Sequence, residues 1–74
     1  MVYVQDNTML LRLITIDELD IVSVVNRFTK VEYILDITEV QEFKNYIIVS
    51  FSNELKSGTY NLMINSTTVD TCIV

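Results

Sequence analysis

Asp17, Glu18 and Asp20 are the densest group of carboxylates in the chain. Clustered oxygens are what a hard cation takes. Their spacing follows no EF-hand loop, so they read as a solvated turn. Glu32 and Asp36 form a second pair. Four apart on one extended strand, they would share a face at a separation of roughly 13 Å. That is farther than the paired carboxylates of a glycosidase stand, and the pair reads as a solvent-facing edge. Histidine is absent. This removes the usual general base, the usual partner of a Ser or Cys nucleophile and the commonest zinc ligand. Cys72 is the only cysteine. It lies near the C-terminus with no base beside it and reads as a small strand-packing residue. Gly58 is the only glycine, whereas phosphate-cradling loops need several that lead into a helix. Tyr3, Tyr33, Tyr46 and Tyr60 could stack on a ring ligand, but three of them fall at inward or central positions, which favours the core. No catalytic residue, cofactor, metal or small-molecule substrate is expected, and the chain is not read as an enzyme.

The composition points the same way. Seventy-four residues make one domain at most, and a core that small is marginal. Half the residues are hydrophobic, more than so small a domain buries easily, so part of this surface is expected against another subunit. The net charge is −5. The five bases, Arg12, Arg27, Lys30, Lys44 and Lys56, are scattered among acids and build no stripe for phosphates. Nucleic acid is not an expected partner. No apolar run approaches a membrane span of about 20 residues, and residues 1–6 lack the basic and apolar regions of a signal peptide. A single cysteine fits folding in a reducing cytosol.

These residues must be carried by strands. Residues 1–5 form a short first strand ended by Asp6-Asn7. Residues 8–16 form a second, with Met9, Leu11 and Leu13 on one face and Leu10, Arg12, Ile14 and Ile16 on the other; both faces are largely apolar, so it is expected to be central and covered on both sides. Residues 21–25 are β-branched and form a third. The segment 31–37 alternates cleanly and is expected to be one half-buried strand. Thr38 and Gln41 have the spacing of a capping box, with Glu39 and Glu42 at the start and Lys44 and Asn45 at the end. One short helical turn is therefore expected over 38–45, a longer continuous strand being the alternative. Residues 46–51 form a buried strand. Residues 59–65 alternate again, with Tyr60, Leu62 and Ile64 inward. Asn65-Ser66 closes a hairpin into residues 67–74, so the Asn65-Ser66-Thr67 sequon reads as a turn. The expected fold is an all-β, seven-stranded β-sandwich with one short helical turn, spanning residues 1–74 as a single domain.

Apolar residues at outward positions are the most telling. Ile34 and Met63 interrupt polar faces, and Leu10 and Ile14 flank Arg12. Leu10, Arg12, Ile14, Ile34 and Met63 are therefore the expected protein-interface residues.

Four segments carry a family likeness: Asn7-Thr8-Met9-Leu10-Leu11-Arg12-Leu13, Val31-Glu32-Tyr33-Ile34-Leu35-Asp36-Ile37-Thr38, Lys44-Asn45-Tyr46-Ile47-Ile48-Val49 and Leu55-Lys56-Ser57-Gly58-Thr59-Tyr60-Asn61-Leu62. In this order the chain resembles small immunoglobulin-like virion proteins of crAss-like and other tailed phages of gut bacteria. The last segment resembles their hairpin entry, in which the aromatic packs inward. The resemblance implies an Ig-like sandwich, a capsid-associated or head-fibre-base role, and capsid or other virion proteins as partners in an oligomeric assembly. It also implies a place in the virion after synthesis in the host cytoplasm. The short chain, without proline or a fibre-like extension, favours a compact decoration or adaptor subunit over a fibre. The alternative is a small phage-encoded inhibitor or regulator of a host protein.

Overall fold

The structure is a computed structural model and describes residues 1–12 and 19–74. Among these, eight strands form two sheets and no helix is present: β1 (Val2–Tyr3), β2 (Thr8–Arg12), β3 (Val22–Asn26), β4 (Glu32–Ile34), β5 (Ile37–Glu42), β6 (Tyr46–Phe51), β7 (Thr59–Ile64) and β8 (Thr67–Ile73). One sheet has the order β1-β8-β7-β3-β4, the other β2-β6-β5. All pairings are antiparallel except β1 with β8.

The alternation of side chains makes the sandwich. Val22, Val24, Tyr60, Leu62, Ile64 and Cys72 point inward from the larger sheet, and Met9, Leu11, Ile47, Val49 and Phe51 from the smaller one. They form one apolar cluster, which period-two strands bury by facing each other. The inward positions of Tyr60, Leu62 and Ile64 and the span of β6 agree with the sequence reading.

The tight turns are built without proline. Asp6 and Asn7 have φ of 53° and 58°, and Asn65 and Ser66 have 52° and 69°. Two consecutive left-handed residues are what a two-residue hairpin turn demands, and Asn and Asp tolerate that conformation best. Gln5 and Thr8 close the first turn with two backbone hydrogen bonds of 3.1 and 3.0 Å.

Four expectations are corrected. The segment 31–37 is not one strand. β4 ends at Ile34, Leu35 turns into the core at 5% exposure, and the chain crosses to the other sheet to begin β5. Asn53 stabilises this crossing. Its Oδ1 accepts from the Asp36 N–H at 2.7 Å, and its Nδ2 donates to the Ile34 carbonyl at 3.0 Å. Alternation does not report a change of sheet, because an inward residue is inward in either one.

The short helical turn over 38–45 is absent: Ile37–Glu42 is a strand paired with β6, with a bulge between Ile37 and Glu39. Thr38 and Gln41 lie within that strand. The backbone of β6 needs a partner on its far edge, and pairing outweighs a capping pattern that has no apolar helical face behind it. Among the described residues the sandwich therefore has eight strands where seven were expected. The second strand is not central either. Its described part, β2, is at the end of the three-stranded sheet, with Leu10 and Arg12 outward. Leu13, Ile14 and Ile16 lie outside the described residues.

Candidate interaction surface

The four described interface candidates divide between two outer faces. Ser23 of β3 pairs with both Ile34 of β4 and Met63 of β7, so Ile34, Ser23 and Met63 form one cross-strand row. Ile34 is 61% exposed and Met63 is half-buried. Ser23 is buried between them, and its hydroxyl donates to Glu32 Oε2 at 2.9 Å. Leu10 and Arg12 are on the other sheet, opposite Ile48 and Tyr46. Both are exposed, and both line a recess of about 550 Å³ with Met1, Val2, Tyr3, Val69 and Asp70. The structure thus brings Ile34 to Met63 and Leu10 to Arg12 but does not join the pairs. Ile14 lies outside the described residues.

The sheet edges are closed to different degrees. β5 carries Thr38, Glu39, Gln41 and Glu42, all exposed, and these polar groups discourage another strand from pairing there. β4 is three residues long, and its last carbonyl is taken by Asn53. Its side chains are more available: Tyr33 and Ile34 are exposed, as is Val31 just before the strand.

One residue that sequence reasoning passed over is more exposed than any of these. Phe28, in the turn between β3 and β4, is 94% exposed. Asn26 holds this turn. Its Oδ1 accepts from the Phe28 and Thr29 N–H groups at 2.8 and 2.9 Å, and its carbonyl accepts from the Lys30 N–H at 2.8 Å. Lys30 has φ 66°. Arg27 reaches back across the sheet and donates to Asn61 and Thr71. A large aromatic between Arg27 and Lys30, in the gap between the expected strands 21–25 and 31–37, was the available signal.

Burial, helped by the nearby Asp70 charge, pushes the Cys72 thiol up to about 11. Asp70 is held below its ordinary value by a hydrogen bond from the Met1 ammonium and another from the Thr71 N–H. That ammonium–carboxylate pair, at 3.0 Å, is exposed on both sides. Glu32 and Asp36 do not share a strand: Glu32 is on β4, and Asp36 is in the crossover. Tyr60 is buried and Tyr33 packs edge-on to it at 6.3 Å, while Tyr46 stacks on Phe43 at 4.8 Å. Tyr3 is 67% exposed. Among the described residues no group of three His, Cys, Asp or Glu gathers. Asp17 and Glu18 lie outside the described residues.

Comparison of the chain with protein-family models, with curated proteins and with solved structures gave no match.

Proposed function

We propose that this chain is an immunoglobulin-like sandwich acting as a non-enzymatic structural subunit of a phage particle. In this reading it is a capsid-associated decoration or adaptor protein, made in the host cytoplasm and carried in the virion. Its partners are other virion proteins.

Strand order supports the Ig-like part. β2, β6 and β5 take the places of strands B, E and D, and β8, β7, β3 and β4 those of G, F, C and C′ in a variable-type domain. Tyr60 supports it further. It opens β7, its ring is buried, and its hydroxyl donates to the Lys56 carbonyl at 2.7 Å. That is the geometry of a tyrosine corner at the start of strand F. Leu62 stands two residues on, where an antibody domain has its second cysteine.

The observation that carries the structural role is the apolar surface. Ile34, Tyr3 and Phe28 are each more than 60% exposed, alongside Leu10. A specific stable contact buries about 800 Å² per partner, and the whole chain exposes 5036 Å². The virion part rests on the resemblance of the four segments.

The test is to find the chain in purified phage particles by mass spectrometry, then to ask whether Ile34→Lys or Leu10→Lys lowers its copy number there. A chain absent from particles that instead co-purifies with one host enzyme would overturn the structural reading in favour of host inhibition.

A further inference from the structure

We infer that this chain forms a two-fold symmetric dimer through the outer face of its five-stranded sheet, with Arg27 of each copy pairing with Glu32 of the other. The composition of that sheet sets it apart. β1, β3, β4, β7 and β8 hold two charged residues, Glu32 and Asp70. Asp70 stands opposite the inward Leu62 and is held by the Met1 ammonium, so it is off the outer face. That face carries Tyr3, Val25, Ile34, Met63 and Ile73, with Tyr3 and Ile34 exposed at 67% and 61%. Apolar groups with few charges among them are the composition of an interface core.

The two charges on the face are placed symmetrically. One cross-strand row runs Ile34, Ser23, Met63, Thr68, and the next runs Glu32, Val25, Asn61, Thr71. Arg27 reaches onto the second row. Its Nε donates to Asn61 Oδ1 at 2.7 Å and its Nη2 donates to Thr71 Oγ1. The guanidinium therefore lies over β7 and β8, whereas Glu32 stands on β4. With adjacent strands about 4.8 Å apart, β4 and β8 are each about 7 Å from the midline between β3 and β7. Acid and base are thus too far apart to meet within one chain. Among the described residues neither has an ion-pair partner.

A second copy is the occupant this placement selects. A two-fold axis between two facing sheets, running along the strands over the β3–β7 midline, sets β4 of one copy against β8 of the other. Glu32 of each copy then meets Arg27 of the other, while Ser23 meets Met63 and Val25 meets Asn61. An axis across the strands would leave β4 facing β4 and Glu32 away from Arg27. The face is thus complementary to itself in charge, and such an isologous contact closes at two copies. Five strands, with six residues in β7, make a face about 24 Å by about 20 Å. That size puts the contact at the small, reversible end of specific interfaces. The dimer needs no virion component, so it stands or falls separately from the proposed structural role.

The experiment is sedimentation velocity on the purified chain over a wide concentration range, with the charge reversals Arg27→Glu and Glu32→Arg. The wild type is expected to pass from monomer to dimer as concentration rises and to stop there. Each reversal alone replaces both attractive pairs with like charges and is expected to weaken the dimer by about a hundredfold. Their equimolar mixture is expected to dimerise again, because a dimer of one variant with the other has opposite charges at both pairs. A merely structural role for either residue would not produce that rescue. Unchanged thermal unfolding of each variant excludes loss of fold. If a reversal does not fold, Ile34→Lys carries the test, since it sets a charge in the apolar part of the contact and is likewise expected to give monomers. A wild type that stays monomeric throughout would overturn the inference and leave the face to a foreign protein. So would growth past the dimer, dimers that persist in the variants, or a mixture no heavier than its components.

Discussion

Tyr60 ties a loop to the core with one atom. Its ring is buried and its hydroxyl bonds to the Lys56 carbonyl. Tyr60→Phe keeps the ring but leaves that carbonyl without its partner. The expected cost is about 1–2 kcal/mol, read by urea unfolding. Cys72 makes a different prediction. Folding raises its pKa from 9.0 to about 11 through burial, so the native state favours the neutral thiol. This contribution is fully present below 9 and is lost as pH rises toward 11, because the unfolded chain gains the thiolate first. The melting temperature should fall over that window, and the fall should be shallower in Cys72→Ala. If both proteins fall alike, Cys72 is not the group that titrates.

At the scale of elements, the turns and the crossover decide the arrangement. The two left-handed pairs look alike in φ but differ in what their side chains do. Ser66 has a left-handed φ of 69° that glycine adopts freely, so Ser66→Gly is expected to stabilise the hairpin by about 0.5–1 kcal/mol. Asn7 also has positive φ, but its Nδ2 donates to the carbonyls of Phe51 and Asn53, both at 3.0 Å. Asn7→Gly should therefore destabilise by about 1–2 kcal/mol. Opposite signs in the two variants, measured by chemical denaturation, are the check. Asn53→Ala removes both side-chain bonds from Asn53 to the β4–β5 crossover. It should cost about 2 kcal/mol, with the loss of hydrogen-exchange protection concentrated at Asp36.

At the scale of the whole molecule, the predicted interface residues lie on two faces. Ile34 and Met63 share a row on the larger sheet, while Leu10 and Arg12 stand outward on the smaller one. With the sandwich core between them, Ile34→Lys and Leu10→Lys should act independently. Their effects on binding to the virion partner proposed above are expected to add within about 0.5 kcal/mol in a double-mutant cycle. A large coupling would mean that one partner wraps both faces.

The sequence by itself determined the class. Repeated period-two runs joined by turn residues made an all-β chain the expectation, and they placed β6, β7 and the Asn65-Ser66 turn within a residue or two. Inward and outward faces were legible for the same reason, since alternation is set by the local backbone. What alternation does not encode is partnership. Only the tertiary structure decided that 31–37 divides between two sheets, that Ile37–Glu42 pairs with β6, and that β2 sits at a sheet end. Each of these depends on hydrogen bonds between residues distant in sequence, as Asn53 bonding to Ile34 and Asp36 illustrates. The prominence of Phe28 was decided there too, because exposure depends on what the rest of the fold leaves uncovered.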